Sequence, residues 1–300
     1  MGQSDRISGH TKTIGLIGTP VEHSMSPAMH NTSFEHLGID YVYLAYEVPE
    51  EAQLEWAIKG MRAMGFAGCN VTMPYKTKVG KFLDELSPAA EIMGAVNTVV
   101  FKEEKAIGHN TDGAGFMRNV SEAGVEVTGK KMTLVGAGGA GSAIFTQAAL
   151  DGVSEIDVFN IKDSFFERTQ SKVKKLVEYT GCKIRLIDLD DKESLRQSVS
   201  ESVLFVNATR IGMPDTPDQS TLPKEYMVEG LAVADTVYEP RKTKLILDAE
   251  SLGLKTLPGL GMLLRQACIG EEIWTGASMP TDLIEEKYLA LRWFLWERFR

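Results

Sequence analysis

A glycine-rich segment carries the clearest chemistry in this sequence. Gly136, Gly138 and Gly141 have the spacing Gly-x-Gly-x-x-Gly between an apolar run at Lys131–Val135 and a helical pattern at Ser142–Leu150. In that setting the first glycine permits a tight turn, the second lets the backbone approach a pyrophosphate, and the third allows close packing of the helix. The amino terminus of the helix adds amide donors and a favourable dipole. The segment predicts a dinucleotide site; the alternative is a plain tight turn.

The end of the next strand candidate bears on which dinucleotide would bind. That strand, Glu155–Phe159, runs into Asn160-Ile161-Lys162-Asp163. An acidic residue about 20 positions after the glycine turn commonly binds the ribose 2′-hydroxyl of NAD, whereas a nearby Arg accommodates the 2′-phosphate of NADP. Asp163 favours NAD, although a helix-capping role for it is an equal alternative. Lys162 places a cation beside it and leaves NADP open.

A second set of polar groups occurs in the first part of the chain, where strands are predicted to end. Loops at strand ends are the usual position of active sites in α/β proteins. The set offers many hydrogen-bond donors and acceptors with little net charge, which suits a polyhydroxylated carboxylate substrate. Each member also has an ordinary explanation as a turn residue, a helix cap or a surface lysine. The set comprises Ser24, Ser26, Asn70, Thr72, Lys76, Asn97, Thr98, Asn110, Thr111 and Asp112.

The elements that would position these residues are short β-rich runs alternating with helical patterns, which predicts a parallel α/β fold. In the first part, the predicted strands are Thr13–Gly18, Tyr41–Val48, Gly68–Val71 and Asn97–Phe101, with helices at Ala28–Leu37, at Glu51–Met64 and from Lys76 onward. After a linking helix at Gly113–Gly124, further strands are predicted at Lys131–Val135, Glu155–Phe159, Lys183–Asp188, Val203–Asn207, Leu231–Asp235 and Lys255–Leu257. The second series is typical of a doubly wound nucleotide-binding domain.

Two domains are therefore expected. The first is an N-terminal α/β substrate-binding and catalytic domain completed by C-terminal helices, residues 1–112 with 259–300. The second is a Rossmann doubly wound domain that binds NAD(P), residues 113–258. A chain of 300 residues is long enough for both.

Composition limits the partners and the compartment. The net charge of −9 disfavours nucleic acid and anionic membranes as partners. The three cysteines are widely separated, so neither a zinc site nor a disulfide framework is expected, and no other metal site is expected. No apolar stretch is long enough to span a bilayer, and the polar first ten residues do not resemble a signal peptide, which predicts a cytoplasmic protein. A homodimer remains open.

Seven motifs, in order from about Ile14 to Tyr288, together resemble the shikimate dehydrogenase family. They are Ser24-x-Ser26-Pro27, Asn70-Val71-Thr72-x-Pro74-x-Lys76, Gly94-Ala95-Val96-Asn97-Thr98, Gly108-x-Asn110-Thr111-Asp112-Gly113, the Gly136–Ala140 turn, Asn207-Ala208-Thr209-x-x-Gly212-Met213 and Gly259-x-Gly261-Met262-Leu263-x-x-Gln266. The resemblance implies reversible NAD(P)-dependent oxidation of the C3 hydroxyl, of shikimate to 3-dehydroshikimate and of quinate to 3-dehydroquinate.

Within that family, the stretch Asn160–Phe166 resembles the quinate/shikimate dehydrogenase branch, in which an Asp at the place of Asp163 accompanies NAD use. The NADP branch carries Asn-Arg-Thr there, and Ile161 stands in place of that Arg. We therefore expect a quinate/shikimate dehydrogenase that favours NAD. The alternatives are a biosynthetic NADP-dependent shikimate dehydrogenase and a non-catalytic dinucleotide-binding sensor.

The resemblance also implies roles for individual residues. Lys76 matches the catalytic lysine and Asp112 its aspartate partner; which of them is the base stays open. Ser24 and Ser26 match residues that bind the substrate carboxylate. Residues that contact the ring hydroxyls are matched by Thr72, Asn97 and Gln266. Tyr238 matches a tyrosine of the substrate cleft. Cofactor-contact positions are matched by Gly136, Ala137, Gly138, Gly139, Ala140, Asn160, Ile161, Lys162, Asp163, Thr209, Arg210, Met213, Thr236, Val237, Tyr238, Glu239 and Gly259. Arg210 and Glu239 depart from the usual family residues, and the tail Leu289–Arg300 lies beyond the family's usual end.

Overall fold

A computed structural model of the chain describes residues 7–162 and 166–287. Asp163 and the tail Leu289–Arg300 therefore lie outside the described residues. The chain divides into two compact units, Met1–Thr111 with Ala267–Arg300, and Asp112–Gln266. Each unit contains a six-stranded sheet, and the predicted two-domain α/β class is confirmed. The divisions follow residues 111 and 266, whereas the sequence predicts them after 112 and 258.

The first unit is built on one mixed sheet. Its elements are β1 (Lys12–Gly18), α1 (Ser26–Leu37), β2 (Tyr41–Glu47), α2 (Leu54–Ala63), β3 (Gly68–Val71), β4 (Glu85–Leu86), α3 (Pro88–Met93), β5 (Thr98–Lys102) and β6 (Lys105–His109). The strand order is β2-β1-β3-β5-β6-β4. Strands β1, β2 and β3 are parallel, and β5 is antiparallel to both β3 and β6. The carboxyl ends of β1, β3 and β6 and the amino end of β5 therefore share one edge of the sheet.

The second unit has a wholly parallel sheet. Its elements are α4 (Thr111–Glu122), β7 (Lys131–Val135), α5 (Gly139–Leu150), β8 (Glu155–Asn160), α6 (Phe166–Thr180), β9 (Lys183–Asp188), α7 (Lys192–Glu201), β10 (Leu204–Asn207), β11 (Ala232–Asp235), α8 (Lys244–Ser251), β12 (Lys255–Leu257) and the first part of α9 (Leu260–Thr275). The residues of α9 from Ala267 onward belong to the first unit. The strand order β12-β11-β10-β7-β8-β9 is the Rossmann order, in which the chain reverses direction across the sheet between β7 and β10. Ligands of such sheets bind outside the carboxyl ends of the strands at that point.

The segment after β3 differs from its prediction. The expected helix from Lys76 is wrong: a 3-10 turn at Val79–Phe82 is followed by β4 and by α3, whose first turn is capped by Ser87 accepting from the Ala90 amide. Tyr75 and Val79 are buried in the apolar core of the unit, and the Tyr75 hydroxyl donates to Val48 O at 2.8 Å. These tertiary contacts hold the segment in turns. The sequence also missed β6, which pairs along its whole length with β5.

Candidate active site

The loop after β1 presents the two predicted carboxylate-binding serines. The Ser24 amide donates to Val21 O at 3.0 Å, and the Ser26 amide donates to Ser24 Oγ at 3.3 Å. Helix α1 begins at Ser26, with a proline in its first turn. Both serines are half-buried. Two hydroxyls therefore lie close together at the amino end of a helix, where the helix dipole favours an anionic group.

The loop after β3 carries Thr72 and Lys76 and is fastened to β1. The Thr72 amide donates to Ile17 O at 2.9 Å, and the Thr19 amide donates to Met73 O at 3.1 Å. A Cβ on Gly18 would lie 2.3 Å from Thr72 Cγ2, so the two loops are in direct contact. The backbone of Lys76 is hydrogen-bonded to the segment just before β5, because Lys76 O accepts from the Val96 amide at 2.8 Å.

Asn97 joins three strand ends of this edge. Its backbone oxygen accepts from the Val71 amide at 2.9 Å, and its amide donates to His109 O at 3.0 Å. Its side chain donates to Thr111 Oγ1 at 3.0 Å and accepts from the Thr111 amide at 2.9 Å. Asn97 is buried. The structure therefore brings Ser24, Ser26, Thr72, Lys76 and Asn97 to one edge of one sheet.

Sequence reasoning missed Tyr43, which lies beneath this edge. Its hydroxyl donates to Asn70 Oδ1 at 2.7 Å and is also hydrogen-bonded to the side chain of Ser26. Burial raises the pKa of Tyr43 well above its usual value, so this hydroxyl stays protonated. The available signal was a polar aromatic residue at an inward position of a predicted strand.

In the second unit the glycine turn has the geometry that a pyrophosphate requires. Gly136 has a φ of 100°, and a Cβ on Gly141 would lie 1.9 Å from Gly136 O, so both positions require glycine. A Cβ on Gly138 or Gly139 would meet no atom within 4 Å, and no side chain caps the amino terminus of α5. The turn therefore has open space beside Gly138 and Gly139 and a helix terminus without a side-chain cap, and these residues fit a dinucleotide.

The end of β8 lies beside this turn. Asn160 Oδ1 accepts from the Ala137 amide at 3.0 Å, and its side-chain nitrogen donates to Ile161 O at 2.8 Å. Ile161 is exposed, and Lys162 Nζ lies 3.1 Å from Asp188 Oδ2. The Asp190 amide and Lys162 lower the pKa of Asp188, so it is ionised near neutral pH. Of the described residues 160–162, Lys162 is the one with a cationic side chain, and it already pairs with Asp188.

Two loops follow β10 and β11 and carry most of the remaining predicted cofactor contacts. Thr209, Arg210 and Met213 lie in the first loop, and Thr236–Glu239 lie in the second. A Cβ on Gly136 would lie 2.8 Å from Thr209 Cγ2, and one on Gly259 would lie 2.5 Å from Thr236 O. The glycine turn thus packs on the first loop and Gly259 on the second.

The remaining predicted residues also belong to the second unit. Asp112 is in the first turn of α4, and Tyr238 is largely exposed on the loop after β11. Gln266 lies in α9, where its side chain donates to Leu263 O at 3.0 Å. A Cβ on Gly115 would lie 2.4 Å from the Gln266 amide nitrogen, so α4 and α9 are in close contact at this point.

Within residues 7–162 and 166–287, the structure has no group of three or more His, Cys, Asp or Glu side chains that could hold a metal ion. In the same part of the chain, no helix has the length and apolar character needed to cross a membrane.

Comparison with known proteins decides the family. The shikimate dehydrogenase substrate binding domain matches residues 16–99, and the shikimate 5′-dehydrogenase C-terminal domain matches residues 259–287. A protein of Listeria monocytogenes serotype 4b named shikimate dehydrogenase (NADP(+)) is 51% identical over 284 residues, which is 94% of this chain and 97% of that protein. The chain belongs to the shikimate dehydrogenase family. It is an enzyme, an NAD(P)-dependent oxidoreductase.

Solved structures of the shikimate dehydrogenase family share its fold. Shikimate 5-dehydrogenase from Listeria monocytogenes, in complex with shikimate and NAD, has a TM-score of 0.91 and 51% identity, covering 94% of this chain and 98% of that chain. Quinate dehydrogenase from Corynebacterium glutamicum, in complex with NAD, has a TM-score of 0.83 and 30% identity, covering 93% of this chain and 99% of that chain.

These relatives favour the biosynthetic alternative over the branch expected from residues 160–166. Relatives at 51% and 45% identity are both named shikimate dehydrogenase (NADP(+)), while the quinate dehydrogenase is more distant. The expected preference for NAD is not confirmed and stays a prediction. Asp163, on which it chiefly depended, lies outside the described residues.

Proposed function

We propose that this chain is a biosynthetic shikimate dehydrogenase, which interconverts shikimate and 3-dehydroshikimate at the C3 position with NADP as its cofactor. The observation that carries the proposal is the 51% identity over 94% of the chain to a protein named for this activity. The polar edge of the first unit supports it because shikimate is a polyhydroxylated carboxylate, and the side chains gathered there are hydroxyls, amides and one ammonium.

Substrate binding is assigned to that edge. Ser24 and Ser26 would donate hydrogen bonds to the carboxylate, at the amino terminus of α1 where a negative charge is stabilised. Thr72 and Asn97 would contact ring hydroxyls, and the backbone bonds of Asn97 to β3 and β6 would hold it in place. Tyr238 and Gln266, in the second unit, are assigned substrate contacts by family resemblance.

Proton handling is assigned to Lys76 and Asp112. Oxidation of a secondary alcohol removes the hydroxyl proton while hydride leaves carbon, and the bound nicotinamide supplies the hydride chemistry. In the reductive direction hydride adds to the C3 carbonyl carbon, and the Lys76 ammonium would donate a proton to the carbonyl oxygen. Asp112 would accept a hydrogen bond from the same hydroxyl and orient it.

A second candidate for the cofactor, NAD, is favoured by one observation. The 2′-phosphate of NADP needs a cationic partner, and Lys162 is already paired with Asp188 at 3.1 Å. Ile161, beside it, is apolar and exposed and offers the phosphate no hydrogen bond. If this pairing decides the preference, the enzyme oxidises shikimate faster with NAD at equal cofactor concentration.

The test is a four-way comparison of initial rates, with shikimate or quinate as substrate and NAD or NADP as cofactor, following absorbance of the reduced cofactor. The proposal expects shikimate oxidation with NADP and a much lower kcat/KM for quinate. Comparable rates with both substrates and a preference for NAD would restore the quinate/shikimate branch. Inactivity in all four combinations, with tight dinucleotide binding, would refute the proposed activity and favour the hypothesis of a dinucleotide-binding sensor. A Lys76→Met variant serves as the inactive control.

A further inference from the structure

Two buried polar side chains end neighbouring strands at the carboxyl edge of the second sheet. Asn207 is the last residue of β10, Asp235 is the last residue of β11, and the two are direct partners in the parallel pairing. Asn207 Nδ2 donates to Asp235 Oδ1 at 2.9 Å. Each residue is 1% exposed. Neither was assigned a role from its type or spacing.

Asn207 shapes the loop after β10. Its Oδ1 accepts from the Thr209 amide at 3.1 Å and from the Thr209 hydroxyl at 2.8 Å. Its Nδ2 also donates to Ile211 O at 3.0 Å, and the Ile211 amide donates to Thr209 Oγ1 at 3.1 Å. One side chain therefore determines the backbone path through Thr209, Arg210 and Ile211.

Asp235 shapes the loop after β11 in the same way. Its Oδ1 accepts from the Val237 amide at 2.9 Å, and the neighbouring Thr236 amide donates to Asn207 O at 2.9 Å. Its Oδ2 accepts from Thr243 Oγ1 at 2.6 Å, and Thr243 caps the first turn of α8. A Cβ on Gly212 would lie 2.9 Å from Thr243 Cγ2, so the two loops also touch each other.

The surroundings of the Asp235 carboxyl group disfavour its ionised form. Its hydrogen-bond partners are an amide side chain, a hydroxyl and a backbone amide, all of them neutral. Burial raises the pKa of Asp235 from 3.8 to about 6, so ionisation near neutral pH opposes folding. Buried carboxylates whose ionised form is disfavoured concentrate at functional sites.

We propose that Asp235 is a positioning residue which, through Asn207 and its own loop amides, orients the two loops that bind the nicotinamide end of the cofactor. The inference rests on the proposed function, because the two loops carry the proposed contacts Thr209, Arg210, Met213, Thr236, Val237, Tyr238 and Glu239. Asp235 itself lies beneath the loops and acts only through them.

Asp235→Ala removes the side-chain hydrogen bonds of Asp235 to Val237, Thr243 and Asn207. We expect the Kd for reduced cofactor and the KM for cofactor to rise about tenfold or more and kcat to fall. The KM for shikimate should rise by a smaller factor, because Tyr238 is the one proposed substrate contact on these two loops. Asp235→Asn keeps one oxygen for Asn207 and Val237, and its amide nitrogen can donate to Thr243. This conservative variant should recover most of the cofactor affinity.

Asp157→Asn is the matched control. Asp157 is a fully buried carboxylate of the same sheet, bonded to Arg185 on β9 and Ser198 on α7, and it touches none of the proposed cofactor contacts. It should lower stability and leave both KM values unchanged. If Asp235→Ala resembles Asp157→Asn, or raises the KM for shikimate and cofactor equally, Asp235 is merely structural and the inference is wrong.

Cofactor binding measured by the fluorescence of the reduced dinucleotide separates this inference from the proposed function. A wild type that binds cofactor but does not oxidise shikimate refutes the function, while the binding defect of Asp235→Ala still supports the positioning role. An active wild type whose Asp235→Asn and Asp235→Ala variants bind cofactor normally refutes the positioning role alone. If Asp235→Ala does not fold, Thr243→Val decides the question, because it removes the hydroxyl that donates to Asp235 Oδ2. A weakened cofactor affinity in Thr243→Val supports the positioning role, and a normal affinity overturns it.

Discussion

His30 Nδ1 and Glu271 Oε1 lie 2.8 Å apart and join α1 to the carboxyl-terminal part of α9, 241 positions away in the chain. Both side chains are buried, and Ser33 Oγ donates to the other oxygen of the same carboxylate at 2.7 Å. The His30 ring also stacks on Tyr43, with centroids 4.4 Å apart. This buried contact belongs to the first unit and explains why the end of the chain packs with its beginning.

Glu271→Ala should destabilise the first unit strongly, because removing one partner of a buried polar pair leaves the other without its hydrogen bonds. The expected loss in free energy of unfolding is about 3–5 kcal/mol, measured by urea denaturation. Glu271→Gln, which can still bond His30 and Ser33, should cost less. The exposed pair of Glu55 and Lys59 provides the control, since Glu55→Ala should change stability by about 0.5 kcal/mol or less. Equal effects of Glu271→Ala and Glu55→Ala would refute the buried-pair argument.

Much of the second unit could be predicted because its strands are short apolar runs bounded by turns. Lys131–Val135, Lys183–Asp188 and Lys255–Leu257 were predicted with their observed bounds. The glycine turn was predictable for the same local reason. At Gly136 and Gly141 the neighbouring backbone lies so close that a side chain would clash with it, so both positions require glycine. Local sequence is sufficient where one strand and one turn determine the geometry.

The first unit was predicted less well because its arrangement depends on pairing between distant segments. Strand β6 (Lys-Ala-Ile-Gly-His) has one large apolar residue and gives a weak local signal, yet it pairs with the whole of β5. The antiparallel direction of β5 places Asn97 at the same edge as Thr72, which spacing alone does not reveal. His30 with Glu271, and Asn207 with Asp235, are likewise contacts between distant positions that no single motif contains.

Lys76→Met should lower kcat for shikimate oxidation by about 10² or more with little change in the KM for shikimate, because it removes a proton-transfer group and keeps the bulk of the side chain. Initial rates at saturating cofactor measure this directly. Lys78, two positions on, pairs with Glu51 at the surface, so Lys78→Met should leave kcat unchanged and serves as the control. A Lys76→Met enzyme with normal kcat and a raised KM would assign the lysine to binding alone.

Asp188→Asn should shift the cofactor preference toward NADP, since it releases Lys162 from its ion pair and leaves the ammonium available to a 2′-phosphate. The expected change in the ratio of kcat/KM for NADP to that for NAD is about two- to fivefold, as for an exposed charge pair. Asp190→Asn is the control: it removes a neighbouring negative charge and leaves the ion pair of Lys162 with Asp188 in place. It should change the ratio of kcat/KM for NADP to that for NAD by less. An equal change in both variants would indicate a general field effect and no specific role for the pair.

The two buried aspartates of the second sheet should respond to pH in opposite directions. Burial raises the pKa of Asp235 to about 6, above 3.8 in the unfolded chain, so its contribution to stability is complete below about pH 4 and is lost as pH rises through 6. For Asp157, burial raises the pKa, but hydrogen bonds from Arg185, Ser198 and Lys131 lower it overall, so its contribution is present at neutral pH and is lost in acid.

Asp235→Asn should therefore gain stability relative to the wild type as pH rises from about 4 to about 6, with no further change above that. A shift of roughly two pKa units bounds the gain at about 3 kcal/mol. The stability difference between Asp157→Asn and the wild type should instead be level above about pH 4 and shrink as pH falls below that value. Urea denaturation of all three proteins from about pH 2 to about pH 8 measures both slopes, and each variant serves as the control for the other. A pH-independent difference for Asp235→Asn would mean that the Asp235 carboxyl does not titrate differently on folding, and the argument that its ionised form opposes folding would fail.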